Sequence, residues 1–328
     1  METGIGKTSS RLTLPDRLDH FLARVGYKRG SHRVQPGLYS VGSPDEKSDV
    51  FVTANYTLSF DAVRLSLDGI DGYILALDTS GVNVWCAAGE GTFGTDELVK
   101  RIEATGLADV VTHRKLILPQ LGAPGVAAHV VKKKSGFKVR YGPVRANDLP
   151  EYIRTGKATE EMRRVRFPFR DRFALIPIEL VHVIMPMIVA AIILYFAGGP
   201  MLSIGALTAI LAGAILFPIL LPWLPTREFS TKGFILGGAV ALPFALAAIM
   251  GDPSRSLIVS IAWGLVYLLA MPSITAFLAL NFSGASTYSS RTGVKREIAK
   301  YVPGMAYSFL GAVAIMIGLV VINILEVM

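Results

Sequence analysis

The segment Asn83-Val84-Trp85-Cys86-Ala87-Ala88-Gly89-Glu90-Gly91-Thr92-Phe93-Gly94-Thr95 places the only cysteine of the chain beside a tryptophan, ahead of three glycines. Three interpretations fit these residues alone. Cys86 is a buried core thiol; or the glycines form a phosphate-binding loop, although they lack the spacing of the known fingerprints; or a short helix presents a thiolate to a flat ligand. A Cys–His nucleophile pair with His113 or His129 is a fourth possibility, which nothing local in the sequence supports.

Short β-rich runs alternate with helical runs on both sides of this segment. We predict strands at 50–54, 73–78, 115–118 and 137–141, extended chain at 82–85 and 110–111, and helices at 60–67, 95–105 (with Thr95 as N-cap) and 126–134. This alternation predicts an α/β sandwich around a mainly parallel, Rossmann-like sheet. Ligands bind such sheets where loops leave the carboxyl ends of the strands. The loops that qualify are 55–57, 78–95 and 121–125.

The composition divides the chain into two unlike parts. Hydrophobic residues make up 52% of the 328 residues and charged residues 18%. Of the 33 Lys and Arg residues 26 lie in 1–175, as do 20 of the 25 Asp and Glu residues, so the remainder is nearly free of charge. An ordinary soluble enzyme and a disordered chain are therefore excluded. A single cysteine also excludes an internal disulfide and a multi-cysteine zinc or iron–sulfur site within this chain.

Five apolar runs follow residue 175, at 176–197, 201–223, 233–251, 256–280 and 303–325. Each has about the 20 residues that a membrane-spanning helix needs, and Gly198-Gly199-Pro200 predicts a turn between the first two. Eleven Lys and Arg residues flank one side of the predicted spans, at 163–172, 227–232 and 291–300, against Arg255 alone on the other. The positive-inside rule thus predicts a multi-pass protein of the cell membrane, with its N-terminal part cytoplasmic and its C-terminus outside. Glu179 and His182 are the polar candidates within the spans, either structural or part of a site.

The segment 83–89 resembles the cap-helix motif of the corrinoid protein of microbial mercury methylation. That family is related to the corrinoid iron–sulfur protein of the acetyl-CoA pathway and pairs a corrinoid-binding domain with five membrane spans. The resemblance extends to Val52–Tyr56, Ser59–Asp61, Gly91–Leu98, His113–Gly125 and Gly142–Ala146. The family motif ends in Gly-Lys, whereas this chain has Gly89-Glu90.

The resemblance implies a membrane-anchored corrinoid-dependent methyltransferase. Cys86 would be the lower axial ligand of cobalt in a cobalamin-type corrinoid, and methyl-cobalt(III) would pass its methyl group to Hg(II) to give methylmercury. Thiolate sulfur is a soft donor suited to this task, and small neighbours allow a helix to lie close to the corrin. The residues implied to bind the cofactor are Thr53, Asn83, Val84, Trp85, Cys86, Ala87, Ala88, Gly89, Leu121, Gly122, Ala123, Pro124 and Gly125.

The implied partners are a separate low-potential ferredoxin, a methylated folate or its methyltransferase, Hg(II) and membrane lipid, without nucleic acid. The expected domains are a cytoplasmic corrinoid-binding domain at 1–160, a basic linker at 161–175 and an all-α membrane domain of five helices at 176–328. Two alternatives remain open. The first is a corrinoid methyl carrier with another acceptor, and the second is a channel or transporter with a regulatory cytoplasmic domain.

Overall fold

The structure is a computed structural model that describes residues 4–28 and 30–327. It separates into two compact units, Met1–Val165 and Arg166–Met328. The first unit is an α/β fold and the second is helical. The predicted sequence of an α/β part followed by an all-α part is therefore confirmed.

A six-stranded sheet forms the centre of the α/β unit. Its strands are β1 (Gly6–Thr8), β2 (Gly37–Val41), β3 (Val50–Ala54), β4 (Gly72–Leu77), β5 (Lys115–Leu118) and β6 (Lys138–Tyr141), in the order β1-β2-β4-β3-β5-β6. Only the β2–β4 pair is antiparallel, so the predicted mainly parallel sheet is confirmed. The central strands β3 and β4 are buried along their whole length, which explains their continuous apolar sequences.

Helices cover both faces of the sheet. In the α/β unit they are α1 (Leu14–Arg24), α2 (Thr57–Ser66), α3 (Val84–Glu90), α4 (Thr95–Ala104), α5 (Leu107–Val110), α6 (Ala128–Ser135), α7 (Leu149–Thr155) and α8 (Glu160–Arg163). One apolar cluster joins Val50 and Val52 of β3 to α3 and α4. A second joins Phe51 of the same strand to α2 and α7. Successive strand residues therefore fill opposite layers of an α/β/α sandwich.

Three local predictions were wrong. The chain at 82–85 is not extended throughout, because α3 begins at Val84. Val110 ends the short helix α5 instead of lying in extended chain. Thr95 is not the N-cap of α4: Gly94 takes that position, and the Thr95 hydroxyl accepts a hydrogen bond from the Ala127 N–H at 2.8 Å. The local sequence pattern assigns the Thr95 hydroxyl to the start of α4. In the structure this hydroxyl instead contacts a segment 32 residues away in the sequence.

The second unit consists of helices α9 (Phe169–Phe173), α10 (Ile176–Gly198), α11 (Pro200–Leu211), α12 (Phe217–Leu220), α13 (Phe229–Met250), α14 (Leu257–Ser283) and α15 (Arg291–Val327), with a π-helical turn at Ala212–Leu216. Within the described residues, five helical stretches are long and apolar enough to cross a membrane. Gly199 adopts a φ of 85° between α10 and α11, as a tight turn requires, so the predicted division of the first two spans is confirmed.

The N-terminal segment is held to the α/β unit by buried charges. Arg64 of α2 donates to Asp61 at 2.5 Å and to Asp16 of α1 at 2.8 Å. The second oxygen of Asp61 lies 2.6 Å from Nε2 of His20. Because Asp61 and Arg64 are almost fully buried, removing one partner would leave an uncompensated charge, which makes this cluster a strong constraint on α1.

His32 forms a second link between α1 and the sheet. Its ring nitrogens lie 2.7 Å from the Asp19 carboxylate and 2.5 Å from the Tyr27 carbonyl. Desolvation lowers the pKa of this buried imidazole, but hydrogen bonds to Asp19 and to the Tyr27 carbonyl outweigh it and raise the pKa above 6.5. The doubly protonated ring can donate to both acceptors at once.

His32 should therefore give the protein a pH-dependent stability. A raised folded-state pKa means that the contribution is fully present below pH 6.5 and is lost as pH rises through the folded-state value. We expect the melting temperature of the wild type to exceed that of His32→Gln most at pH 6, with the gap narrowing towards pH 9. Replacing the exposed His129 with Gln is the matched control and should change the melting temperature little. A gap that widens with pH would contradict this assignment.

Candidate functional site

A cavity of about 240 Å³ lies at the carboxyl edge of the parallel strands. Its walls come from the ends of β3 and β5, the loop after β6, the start of α3 and the first turns of α2. The lining is mostly apolar, with side chains from both core layers, and includes the polar residues Thr53, Ser59, Asn83 and Arg145. This is the edge at which open α/β sheets bind ligands, so the three loops predicted from sequence do leave the correct ends of the strands.

Asn55, at the end of β3, fixes the loop that leads from β4 to α3. Its buried Oδ1 accepts hydrogen bonds from the Thr79 N–H and hydroxyl at 3.0 and 2.9 Å and from the Gly81 N–H at 3.1 Å. Its amide nitrogen donates to the Val34 carbonyl and to Asp78 at 3.3 and 3.4 Å. One side chain thus satisfies polar groups of two other segments, at Val34 and at 78–81, at the edge of the sheet.

Helix α3, which we call the cap helix, begins with Asn83 as its N-cap. The Asn83 Oδ1 accepts a hydrogen bond from the Cys86 N–H at 3.0 Å, an N-cap arrangement that stabilises a helix by about 1 kcal/mol. Val84, Ala87 and Ala88 are buried against the first core layer, whereas Cys86 is only half-buried. The structure therefore does not support the interpretation of Cys86 as a fully buried core thiol.

Gly91 and Gly94 of this segment occupy positions at which the structure favours glycine. Gly91 ends the cap helix with a φ of 91°, in the left-handed region that glycine tolerates. A Cβ on Gly94 would lie 2.5 Å from the Gly91 carbonyl oxygen, and Phe93 between them is fully buried. By contrast, a Cβ on Gly89 would meet no atom within 4 Å. Backbone geometry explains Gly91 and close packing explains Gly94, without a bound phosphate.

The loop 121–125 supports the cap helix from behind. A Cβ on Gly125 would lie 2.1 Å from the Phe93 carbonyl oxygen and 3.1 Å from the Ala88 Cα, and one on Gly122 would lie 2.5 Å from the Phe93 ring. The Thr95 N–H also donates to the Gly125 carbonyl at 3.2 Å. Gly122 and Gly125 therefore permit the close approach of this loop to the cap helix, which no larger residue would allow.

The structure brings five of the predicted cofactor-binding residues together around the cavity: Thr53, Asn83, Val84, Trp85 and Leu121. Cys86, Ala87, Ala88 and Gly89 continue the cap helix from this wall, and Gly122, Ala123, Pro124 and Gly125 continue the supporting loop. Sequence reasoning did not select Ser59, Pro119, Pro143, Val144 and Arg145, which also line the cavity. All five lie in stretches that resemble the corrinoid family. This resemblance was the signal by which the sequence could have identified them.

The other candidate residues do not line the cavity. His113 precedes β5, at the amino edge of the sheet, and its ring nitrogens lie 2.9 Å from the Ser48 carbonyl oxygen and 3.2 Å from the Lys115 nitrogen. His129 is exposed on α6, and in α10 Glu179 is half-buried and His182 exposed. In residues 4–28 and 30–327 no group of three or more His, Cys, Asp or Glu side chains is placed to hold a metal ion. His113 thus lies at the amino edge of the sheet, whereas the cap helix with Cys86 begins at the carboxyl edge.

The α/β unit is similar to known proteins of the acetyl-CoA pathway. Residues 28–153 match the family described as CO dehydrogenase/acetyl-CoA synthase delta subunit. The chain is 35% identical over 127 residues to the acetyl-CoA decarbonylase/synthase complex subunit gamma of Methanopyrus kandleri, covering 38% of this chain and 27% of that protein. It is 26% identical over 153 residues to the corrinoid/iron-sulfur protein large subunit of Moorella thermoacetica, covering 44% and 34%.

The chain thus spans about a quarter to a third of the length of these relatives, and the family match at residues 28–153 begins and ends within the α/β unit. Membership of the whole chain in that family does not follow from a match of this extent. The cavity and the cap helix both lie inside the matched region. The α/β unit of this protein therefore carries a domain related to the corrinoid protein of the acetyl-CoA pathway.

Proposed function

We propose that this protein is a membrane-anchored, corrinoid-dependent methyltransferase in which Cys86 is the lower axial ligand of cobalt and Hg(II) is the methyl acceptor. The observation that carries the proposal is the position of Cys86. It lies in the first turn of a cap helix, half-exposed, beside an apolar cavity at the ligand-binding edge of a corrinoid-related domain.

The residues present fit a corrinoid. The open space outside Gly89 allows a flat group to approach the helix backbone, and the apolar cavity wall suits a macrocycle edge or side group. Asn83 holds the first turn of the cap helix, Asn55 holds the loop before it, and Gly122 and Gly125 let the supporting loop pack behind it. The bound corrinoid would supply a cobalt centre able to accept and release a methyl group.

Each residue of the cap helix has a defined task in this proposal. Cys86 donates through sulfur, a soft and strongly electron-donating ligand, and its place near a helix N-terminus favours the thiolate. Ala87 and Ala88 are buried and fix the helix to the sheet. Trp85 forms part of the cavity wall and positions the ligand edge. Because this chain has one cysteine, electrons would come from a separate low-potential ferredoxin, and the methyl group from a methylated folate or its methyltransferase.

Hg(II) as the acceptor is supported by the combination of two features. The Trp85-Cys86-Ala87-Ala88-Gly89 sequence resembles the mercury-methylating family, and five helices long enough to span a membrane follow it. A second candidate is a methyl carrier whose acceptor belongs to the carbon pathway, which is favoured by the names of the relatives. Assays of methylmercury formation and of methyl transfer to an acetyl-CoA synthase would distinguish these acceptors.

The second unit would anchor the methyltransferase in the cell membrane. Its five long helical stretches have a mean hydropathy of 2.0 to 2.5 over 18 residues each. The uneven distribution of Lys and Arg residues on the two sides of these helices supports a cytoplasmic α/β unit. In this arrangement, the majority of the exposed apolar side chains of α10, such as Ile192 and Phe196, would contact lipid. The corrinoid domain and the membrane domain would follow one another along the chain.

Replacing Cys86 with Ala should abolish methyl transfer and change the visible spectrum of the bound corrinoid, because the axial sulfur is lost. The unfolding free energy should fall by only about 1 kcal/mol, since the side chain is small and half-exposed. Anaerobic absorption spectra and methylmercury assays of the purified protein provide the measurement. Thr92→Ala, an exposed change just beyond the cap helix, is the matched control and should retain activity within a few-fold. Full activity of Cys86→Ala would rule out axial ligation.

Replacing Glu90 with Lys tests the one departure from the family motif. Glu90 is the last residue of the cap helix and is exposed, where a carboxylate costs about 0.3–1 kcal/mol against the helix dipole. We expect the methylation rate to change by no more than a few-fold. A hundredfold gain, worth about 2.7 kcal/mol, would instead show that this position limits the activity of the protein.

Ending the chain after residue 165 tests the independence of the two units. The cavity, the cap helix and the supporting loop all lie before this point, so the shortened protein should be soluble and bind corrinoid with an affinity close to that of the full chain. Equilibrium titration followed by visible absorption gives both affinities. Loss of binding in a folded fragment would implicate the helical unit, with Glu179 and His182 as the first residues to replace.

A further inference from the structure

Helix α1 has its polar and apolar faces reversed relative to an ordinary surface helix. Beside the buried Ala23 and the half-buried Leu22, it turns charged or polar side chains towards the α/β unit: Asp16, Asp19 and His20 pair with Arg64, His32 and Asp61. Leu14, Leu18 and Phe21, at positions i, i+4 and i+7, are 81%, 59% and 61% exposed. A surface helix normally buries its apolar stripe, so this exposed stripe requires a separate explanation.

The exposed stripe is surrounded by positive charge. Arg11, Arg17, Arg24 and Lys28 are all exposed around it, and in the helix geometry Arg17 and Arg24 flank one side of the stripe. The two acidic residues of α1 are engaged by inward partners, Asp16 by Arg64 and Asp19 by His32. These partly buried pairs turn the negative charges of the helix away from its outer face. We call Leu14, Leu18 and Phe21 with Arg17 and Arg24 the outer face of α1.

We propose that the outer face of α1 binds the anionic surface of a lipid bilayer. Leucine and phenylalanine flanked by arginine are the composition of helices that lie in a membrane interface, and each basic residue near an anionic surface favours binding. The capping box between Thr13 and Asp16 and the ion pairs to Arg64 hold α1 folded before it meets lipid. Such preorganisation reduces the entropy lost on binding.

Lipid fits this surface better than a protein partner. A stable protein interface buries about 800 Å² on each partner, from some 20 residues, far more than a stripe of three apolar side chains offers. The same chain carries five helices long and apolar enough to cross a membrane. A covalent link to such helices raises the effective concentration of bilayer around α1, so that a weak surface contact becomes sufficient.

The test uses the full chain in nanodiscs, either zwitterionic or with about a third of anionic phosphatidylserine. An environment-sensitive fluorophore is attached at Leu18→Cys in a Cys86→Ala background, and nitroxide-labelled lipids act as quenchers. We expect quenching in the anionic discs, weaker quenching in the zwitterionic discs, and release at 1 M salt, where screening acts within about 3 Å. These comparisons of lipid and salt use one labelled protein with the native charges of α1, so they require no charge variant to fold.

Charge reversal supplies the variant test. Arg17→Glu with Arg24→Glu should reduce the docked fraction by about fivefold or more for each residue, equivalent to about 1 kcal/mol per basic residue. Lys132→Glu with Lys133→Glu, which makes the same charge change on the exposed end of α6, should leave quenching unchanged. Equal quenching in both lipids would overturn the proposal. Absence of quenching in both would also overturn it and would assign the outer face to a protein partner.

Discussion

The buried side-chain amide of Asn55 is the interaction on which the geometry of the site depends. It accepts three hydrogen bonds from Thr79 and Gly81 and donates to Val34 and Asp78, at the point where β3 and β4 end. A buried polar group left without partners costs about 1–3 kcal/mol, so the loop that satisfies Asn55 has little freedom. The cap helix begins immediately after this loop, and the position of Cys86 follows from it.

Close packing behind the cap helix completes this constraint. Gly122 and Gly125 bring the supporting loop against Phe93 and Ala88, while Asn83 fixes the first turn at the other side. The cap helix is therefore held by hydrogen bonds at its start and by contact along its buried face. On its outer side Cys86 is half-exposed, and a Cβ on Gly89 would meet no atom within 4 Å.

Charge is used differently in the two units. In the α/β unit, Arg64 of α2 pairs with Asp61 of the same helix and with Asp16 of α1, which attaches α1 and turns that carboxylate inwards. In the helical unit, Glu297 of α15 caps α13 by accepting hydrogen bonds from the Phe229 and Ser230 N–H groups at 3.2 and 3.0 Å. Both arrangements join elements that are distant in sequence, and both concentrate polar interactions at helix ends or beneath a helix face. Among the exposed apolar side chains are those of α1 and of the long helices of the second unit.

The sequence by itself determined the features that depend on residue composition or on residues close to one another in the chain. Continuous apolar runs identified β3 and β5, span length identified the five long helices, and Gly198-Gly199-Pro200 located the turn between the first two. The motif around Cys86 indicated the corrinoid-related domain. These features depend on burial of apolar side chains and on backbone freedom within a few residues, which the printed sequence displays directly.

Only the tertiary structure decided which hydrogen-bonding group satisfies which distant partner. The Thr95 hydroxyl bonds Ala127 instead of capping α4, Gly125 approaches Ala88, and β2 joins the sheet antiparallel to β4. The inverted α1 could not be foreseen, because its polar residues are buried only through Arg64, Asp61 and His32, from 13 to 48 positions away. Side-chain pairing over such separations is fixed by the packing of the whole domain, since local sequence leaves several partners equally favourable.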